Sequence, residues 1–168
     1  ELSSNVANTL VEQIDHLSKI AADFSQFANI SYTNMEEFDL HEVVRSLQEL
    51  YRSDENIEFL WRPLPYRIII NADKTQMNRL FTNLFANAVE ACEGRLCRIE
   101  VSEQMMEGRI RISIRDNGEG IPEETQSRIF MPNFTTKSSG TGLGLAMCKG
   151  IVEQVKGKIW FETKKGNG

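Results

Sequence analysis

The sequence predicts an α+β fold, a two-layer α/β sandwich preceded by one long helix. Residues 1–30 carry apolar or small side chains at alternating intervals of three and four, which is typical of a helix packed in a bundle. Beyond them the spacing of apolar residues alternates between about 3.6 residues, the period of a helix, and about 2 residues, the period of a strand, which predicts helices that alternate with strands. With 40% hydrophobic and 26% charged residues, the 168-residue chain can bury the core of one domain plus an appendage.

The long helix is predicted from nearly four heptads of apolar or small residues. Its seam consists of Ala7, Leu10, Ile14, Leu17, Ala21, Phe24 and Ala28. Val6, Val11, Ile20 and Phe27 widen the stripe, which favours a four-helix bundle made by dimerisation over a two-stranded coiled coil. A polar, turn-rich run from Ser31 to Glu37 follows. We therefore divide the chain into a dimerisation helix, residues 1–33, and a globular domain, residues 34–168.

The globular domain is predicted to contain three helices in one layer and strands in the other. Asp39 caps a helix that ends near Tyr51, Asp73 caps the long middle helix, and the last helix runs from about Leu143 to Val155. The predicted strands are residues 57–61, 67–71, 96–103, 109–115 and 158–163. A link through residues 105–108 makes an antiparallel hairpin of the third and fourth strands.

Composition restricts the partners. A net charge of −5 argues against nucleic acid, because phosphate neutralisation needs a basic face. No apolar stretch approaches the ~20 residues that cross a bilayer, so we expect no membrane contact by this chain. Cys92, Cys97 and Cys148 show neither a Cys-x-x-Cys pair nor metal-site spacing, which predicts reduced cytosolic thiols. Because the patterns are interrupted at both ends, we expect a fragment whose domain is incomplete at its C-terminus.

Two glycine clusters indicate a nucleotide pocket. The first, residues 116–122, lies at the end of an alternating strand, and the second, residues 140–145, opens the last helix. Glycine lets the backbone approach a ligand closely and adopt positive φ. The free N–H groups and the positive dipole end of the last helix would face phosphate.

A helix face that carries amide side chains lies upstream of the glycine clusters. Asn83, Asn87 and Glu90 fall at i, i+4 and i+7 of the middle helix, so they share one face. In an isolated helix, a solvated polar face would be the better interpretation. The two glycine clusters reverse that preference and indicate that this face meets a ligand.

Together these motifs resemble the Bergerat-fold (GHKL) ATPases, which include gyrase, Hsp90 and MutL, and most closely the sensor histidine kinases of two-component systems. Residues 73–165 match the order and spacing of that catalytic domain. The match comprises an asparagine box at 83–88, a first glycine box at 116–122, a phenylalanine box at 129–134 and a second glycine box at 140–145. The sequence of residues 130–137 is most similar to that of sensor kinases of the nitrogen-regulation type.

The resemblance implies that the chain binds Mg-ATP. Asn87 would contact Mg²⁺ through its amide oxygen, and Asp116 would accept a hydrogen bond from the adenine amine. A bare Asp-x-Gly would otherwise indicate an Asx turn. Lys137 would stabilise charge on the γ-phosphoryl group as a catalytic residue. The remaining nucleotide contacts are assigned to Asn83, Ala91, Gly118, Gly120, Ile121, Thr136, Gly140, Thr141, Gly142, Leu143 and Gly144.

Asn83 distinguishes a kinase from an ATPase. In the hydrolysing relatives that the sequence resembles, a glutamate at this position activates water, whereas an amide cannot take up a proton at neutral pH. A pocket without such a base suits transfer of the γ-phosphoryl group to another nucleophile. Asn83 is therefore assigned a catalytic role, with orientation of a phosphate or a water molecule as the alternative.

The chain has two histidines that could be phosphoacceptors, His16 and His41. The family places the acceptor in a His-Glu/Asp-x-x-x-Pro context on the first bundle helix, whereas His16 is followed by Leu17 and Ser18. The sequence therefore predicts that His16 lies on the surface of the second helix of a phosphotransfer hairpin. His41 lies in the first turn of a helix without a carboxylate arranged beside it, so we interpret it as structural.

The implied function is ATP-dependent phosphorylation of a histidine on a helix absent from this chain, for relay to a response-regulator aspartate. The intact protein is expected to be a cytoplasmic or inner-membrane-anchored homodimer, and the fragment alone is not expected to label itself. Three alternatives stay open: a Bergerat-fold ATPase, an anti-sigma-type serine kinase and a non-catalytic nucleotide-sensing adaptor.

Overall fold

A long helix leads into a mixed helix and sheet domain in the computed structural model, which describes residues 2–137 and 140–168. The helices are α1 (Leu2–Ala28), α2 (Leu40–Tyr51), α3 (Lys74–Ala91), α4 (Glu123–Gln126) and α5 (Gly144–Gln154). The strands are β1 (Met35–Asp39), β2 (Ile57–Arg62), β3 (Ile69–Asp73), β4 (Cys97–Met106) and β5 (Arg109–Asp116). Among the described helices, none has the length and apolarity needed to cross a membrane.

The main sheet has the strand order β2-β4-β5. Strand β2 pairs parallel with β4, and β5 pairs antiparallel with β4. The hairpin turns at Glu107 and Gly108, whose φ values of 49° and 77° are those of a turn that matches the strand twist. Ile114 lies opposite Val101 in this pairing. The predicted hairpin and its apolar alternation are therefore confirmed.

A second, two-stranded sheet joins the linker to the domain. Strand β1 pairs antiparallel with β3, with Met35 opposite Asp73. The run from Ser31 to Glu37, predicted to be a polar boundary, thus contains the start of strand β1. The sequence of this run does not indicate a strand, which forms because β3 supplies its backbone hydrogen-bond partners. Strand β3 also begins two residues later than predicted, since the Ile68 N–H is engaged by the Asp39 carboxylate.

Helices α2, α3 and α5 form the layer opposite the main sheet, as the predicted two-layer α+β sandwich requires. The buried side chains of both layers include Val43, Val44, Leu47, Phe81, Phe85, Ile99, Val101, Met147 and Ile151. Phe85 of α3 is fully buried and meets Phe59 of β2 edge to face, with ring centroids 5.1 Å apart. This packing holds α3, which carries the asparagine pair, firmly on the sheet.

Asp39 caps α2 and also anchors the start of β3. Its Oδ1 accepts hydrogen bonds from the backbone N–H groups of His41, at 3.1 Å, and Ile68, at 3.1 Å. Burial alone would raise the pKa of this carboxyl, but those two donors and the Arg67 guanidinium outweigh burial, and the pKa is lowered from 3.8. The carboxylate therefore stabilises the fold in its ionised form.

Helix α1 is attached to the domain through the N-terminal end of α3. The Gln76 side chain donates to the backbone oxygen of Ile30 at 3.0 Å, and the Asn34 N–H donates to Asp73 Oδ2 at 2.8 Å. Gln154 of α5 donates to the same Ile30 oxygen. These bonds tie the end of α1 to two helices of the domain.

The prediction of a strand at residues 158–163 is wrong. Exposure alternates along this segment, but in the described part of the chain no backbone hydrogen bond joins it to β5. The residues that follow turn back to the first glycine box, where the Gly166 N–H donates to the Glu119 oxygen and the Gly168 N–H to the Gly118 oxygen. Those contacts direct the segment along the glycine box instead of along the sheet.

The prediction of three reduced thiols is also wrong. Cys92 and Cys97 form a disulfide with their Cα atoms 5.5 Å apart, while Cys148 is a buried free thiol. The pair escaped detection because the turn between α3 and β4 brings together cysteines separated by five positions, which is not a standard motif spacing.

Replacing Asp39 with Ala should lower the free energy of unfolding by about 2 kcal/mol, because a helix cap and a strand anchor are lost together. Because its folded pKa is depressed, the Asp39 carboxylate contributes stability above its ordinary pKa and loses it as pH falls through the folded value. The difference between variant and parent should therefore shrink on acidification. Urea unfolding at several pH values measures both effects.

Asp54→Ala is the matched control, since Asp54 Oδ1 accepts only from Asn56 in an exposed turn. It should change stability by less than ~0.5 kcal/mol. Equal losses in both variants would contradict the role given to Asp39.

Candidate functional site

The polar face of α3 opens towards the N-terminus of α5. Asn83 and Asn87 lie on this face with intermediate exposure, and Glu90 lies beside them, more exposed. A β-carbon built on Gly144 would lie 3.8 Å from Asn83 Oδ1. The structure therefore brings the first asparagine and the start of the second glycine-box helix to the same place.

The lysine of the loop after the phenylalanine box contacts this face directly. Lys137 Nζ donates to Asn87 Oδ1 at 3.1 Å and forms an ion pair with the Glu90 carboxylate. Both side chains of the ion pair are about half exposed, and such pairs contribute little stability, so the contact can open readily. The amide oxygen and the carboxylate already hold one cationic group, and they are hard oxygen ligands of the kind that Mg²⁺ accepts.

The first glycine box packs against the end of α3. Gly118 is buried, and a β-carbon there would lie 2.6 Å from Ala91 Cβ and 2.7 Å from Ala91 O. The Gly118 N–H donates to Asp116 Oδ1 at 2.8 Å, and the Glu119 N–H donates to Ala91 O at 3.1 Å. Asp116 thus forms the Asx turn that a bare Asp-x-Gly indicates, and only one of its carboxylate oxygens is used for it.

Asn117 was missed as a site residue. Its Oδ1 accepts from the Arg98 N–H at 2.8 Å, and its Nδ2 donates to the Leu96 oxygen at 3.2 Å. The side chain therefore fixes the glycine box to the start of β4. An asparagine between Asp116 and Gly118 was a usable signal, because short amides in turns commonly bond nearby backbone.

The end of the first glycine box contacts the last residues of the chain. Gly120 has φ of +77°, and a β-carbon there would lie 2.8 Å from the Lys164 oxygen. The Ile121 N–H donates to Thr163 Oγ1 at 2.8 Å. Both predicted site residues therefore lie in the loop four and five positions after Asp116, and the Ile121 N–H is already engaged.

The phenylalanine box anchors the loop between the glycine boxes. Phe130 lies 6.1 Å from Phe161 between ring centroids, and the Arg128 guanidinium lies 4.6 Å from the Phe134 ring. Ile129, which was not predicted as an anchor, is buried. Thr136 is exposed, whereas Lys137 reaches α3. Residues 138 and 139 of this loop lie outside the described residues.

The second glycine box forms a tight turn into α5. Gly142 has φ of +71°, and a β-carbon there would lie 2.6 Å from the Asn133 carbonyl carbon. A β-carbon on Gly140 would collide with the Thr135 side chain. Leu143 is buried at the N-cap of α5. Leu143 makes no side-chain capping hydrogen bond, so the first N–H groups of α5 are available to an anion.

Thr141 links this box to the long helix. Its hydroxyl donates to Asp23 Oδ2 of α1 at 2.6 Å, across 118 residues of sequence. The predicted contact residue Thr141 therefore bonds α1, a contact that sequence analysis did not anticipate.

Neither histidine lies in the site. His16 was predicted to lie on the surface of α1, and its exposure there is intermediate. The prediction that His41 lacks a carboxylate neighbour is wrong, because His41 Nε2 lies 2.8 Å from Glu103 Oε2. Glu103 also accepts from Trp61 Nε1 at 2.9 Å and from the Leu64 N–H at 2.9 Å. This buried cluster lies at the far end of β4 from Asp116.

Comparison with known proteins identifies the family. Residues 72–168 match the family described as histidine kinase-, DNA gyrase B-, and HSP90-like ATPase. The chain belongs to this family. The catalytic domain of histidine kinase ThkA superposes with a TM-score of 0.71 at 35% identity, over 80% of this chain and 90% of that domain. This similarity confirms the predicted fold class and the predicted histidine kinase branch of the ATPases.

Longer family members match α1 as well. The sensor histidine kinase ZraS of Klebsiella oxytoca is 32% identical over 167 residues, which are 97% of this chain and 36% of the relative. The chain therefore spans about a third of that relative's length. Histidine kinase ThkA in complex with response regulator protein TrrA gives a TM-score of 0.77 at 29% identity, over 95% of this chain and 47% of that one.

Gly118→Ala should lower the free energy of unfolding by about 1–3 kcal/mol, because the added methyl group collides with Ala91. Gly144→Ala is the matched control, since the same methyl group there meets only Asn83 Oδ1, at van der Waals distance. It should leave stability unchanged or raise it slightly. Thermal unfolding of both variants makes the comparison, and equal stability of the two would contradict the close packing inferred at Gly118.

Proposed function

We propose that this chain is the ATP-binding and catalytic part of a sensor histidine kinase, which transfers the γ-phosphoryl group of ATP to a histidine outside the chain. The observation that carries the proposal is the meeting of Lys137 with Asn87 on the face of α3 that opens to the N-terminus of α5. A cationic side chain, an amide oxygen and free helix N–H groups are together suited to a polyphosphate.

The base and the phosphates would occupy opposite ends of this surface. Asp116 keeps one carboxylate oxygen free of the Asx turn, and that oxygen can accept a hydrogen bond from the exocyclic amine of adenine. Gly118 lets the loop that carries Asp116 pack closely on Ala91 at the end of α3. The phosphates would then lie between the start of α5 and the asparagines of α3, where Lys137 can leave Glu90 and follow the γ-phosphoryl oxygens.

A magnesium ion fits the oxygen atoms on α3. Asn87 Oδ1 would hold it with the nucleotide phosphates and water, and Glu90 lies one turn further along the same face. When bound, Mg²⁺ would neutralise part of the phosphate charge. Among the residues described, no cluster of three or more acidic, histidine or cysteine side chains forms a separate metal site. A single amide ligand is consistent with an ion held mainly by phosphate.

Asn83 favours transfer over hydrolysis. Its amide cannot remove a proton from water, but its oxygen faces the start of α5 and can orient a phosphate or a water molecule. In the intact protein the phosphoryl group would pass to a histidine and then to the aspartate of a response regulator. The complex of ThkA with TrrA supports such a partner.

Residues 1–33 are proposed to form the second helix of a dimerisation hairpin. Their apolar seam is exposed, with Leu10 at 58%, Ile14 at 61% and Phe24 at 63%, although these residues follow a bundle pattern. The first helix of the hairpin and a second copy of the chain would cover this stripe in a homodimer. We place the reaction in the cytoplasm, with or without an inner-membrane anchor on the parent protein.

Asp116→Asn should weaken ATP binding by about 10- to 200-fold, the equivalent of ~1.5–3 kcal/mol, because one charged acceptor for the adenine amine is lost. GTP binding should change much less. Asp54→Asn alters an Asx turn of the same kind far from the site and serves as the control. Isothermal titration of the parent and both variants with ATP and with GTP measures these affinities, and unchanged ATP affinity in the Asp116 variant would remove this residue from the site.

The chain should bind Mg-ATP but hydrolyse it very slowly, because Asn83 cannot act as a base towards water. It should also fail to label itself, because neither His16 nor His41 stands in an acceptor context. Adding the first hairpin helix of the parent kinase in trans should produce acid-labile label on that helix. Incubation with γ-labelled ATP provides the measurement. Steady phosphate release without added helix would instead favour an ATPase, and label that His16→Ala abolishes would identify His16 as the acceptor.

Asn87→Ala should reduce the dependence of ATP affinity on added Mg²⁺, because the ion loses its one protein ligand, while ATP binding without metal should change little. Asn78→Ala is its control, because Asn78 lies nine positions earlier on the opposite face of α3 and donates to the Lys74 oxygen. Calorimetric titration with and without Mg²⁺ provides the measurement, and equal magnesium dependence of the two variants would exclude Asn87 as a metal contact.

A further inference from the structure

The disulfide lies at the junction between the asparagine helix and the sheet. Cys92 is the C-cap of α3 and Cys97 begins β4, and each is 2% exposed. Their Cα separation of 5.5 Å is ordinary for a disulfide. The four residues between them are all exposed and form a surface turn. Both side chains belong to the buried core, so a reagent in solution reaches the sulfur atoms only when that turn opens.

Hydrogen-bond acceptors surround the two sulfur atoms. Cys92 Sγ lies 3.3 Å from the Ala88 oxygen and 3.4 Å from Asn117 Oδ1, and Cys97 Sγ lies 3.6 Å from the same Ala88 oxygen. A disulfide has no hydrogen to donate, whereas a thiol is a weak donor. The acceptors are therefore in place for the reduced form as well, which makes reversible interconversion feasible at this site.

The pair is directly connected to the proposed adenine site. Cys92 follows Ala91, which packs on Gly118, and its sulfur contacts Asn117, which precedes Gly118. In the reduced form the Cys92 thiol would share Asn117 Oδ1 with the Arg98 N–H. The oxidation state of Cys92 thus changes the hydrogen bonding of Asn117, the residue that fixes the first glycine box to β4.

We propose that Cys92 and Cys97 form a reversible dithiol site that hydroperoxides oxidise, and that closing the disulfide strengthens ATP binding. The second half rests on the proposed function, because it takes ATP as the ligand. The disulfide holds the end of α3 and the start of β4 together. Most molecules therefore have the first glycine box in its ordered, binding-competent conformation before the nucleotide binds. Reduction loosens the turn and lowers the fraction of molecules that can bind.

The oxidation balances with one peroxide for each disulfide. The thiolate of one cysteine attacks a peroxide oxygen and breaks the O–O bond, which gives a sulfenic acid and, with a proton, releases water or an alcohol. The second thiol then attacks the sulfenic sulfur, forms the S–S bond and releases water. Two thiols are oxidised while one peroxide is reduced by two electrons.

Cys148 provides an internal control. It lies within α5, without a surface turn beside it that could open, and desolvation raises its pKa to about 12, so its reactive thiolate is scarce at neutral pH. Peroxide should leave it a thiol while the pair closes.

The test uses the full chain without mutation. Protein reduced with dithiothreitol and freed of it is divided, and one half is treated with hydrogen peroxide. Maleimide labelling of unfolded samples, mapped by peptide mass, should find Cys148 labelled in both halves and Cys92 and Cys97 labelled only in the reduced half. Titration with Mg-ATP should show about threefold to tenfold tighter binding to the oxidised half, reversed by dithiothreitol.

Two variants complete the experiment. Cys97→Ser should bind ATP like the reduced parent and ignore peroxide, whereas Cys148→Ser should keep the full response. Labelling of the pair after peroxide would overturn the redox site, and equal or weaker ATP binding by the oxidised half would overturn the coupling. Failure of both halves to bind ATP would overturn the proposed function and the coupling together, while the labelling map would still decide the redox site.

Discussion

The nucleotide-facing surface depends on one close approach, between Gly118 and Ala91, where a single added carbon atom would collide with the helix. This contact joins the end of α3 to the end of β5. Asn87 lies on one side of it and Asp116 on the other, so the spacing between the groups proposed to meet the metal and the base is set there. Because α3 is held on the sheet by the fully buried Phe85, the strand and the helix cannot adjust independently.

The same helix also connects the pocket to the long N-terminal helix. At its start, Asp73 and Gln76 bind the backbone of the linker, and at its end it supports the glycine box. The disulfide closes the turn that follows. A displacement of α3 would therefore shift the proposed dimerisation segment and both sides of the proposed nucleotide site together. This shared dependence is the physical basis of the proposed coupling between the disulfide and ATP affinity.

Much of the fold follows from periodicity and capping. Asp39 and Asp73 mark helix starts because their carboxylates accept backbone N–H groups, and the isoleucines of β5 alternate because only one face is covered. Strand β1 and the misassigned residues 158–163 depend on distant backbone partners that local sequence does not encode. In the site, the four boxes were recognisable, but the bond from Lys137 to Asn87 spans 50 positions and arises only from folding. His41 beside Glu103, 62 positions apart, is a similar case.

The bond between Thr141 and Asp23 makes the second glycine box sensitive to the orientation of α1. Neighbouring residues on a helix are about 100° apart around its axis. A rotation of α1 by one such step would turn the Asp23 carboxylate away and could bring the apolar ring of Phe24 or the small side chain of Ala22 towards the Thr141 hydroxyl. Torque applied to the helix would thus be converted into the making or breaking of one hydrogen bond at the second glycine box, where the phosphates are proposed to bind.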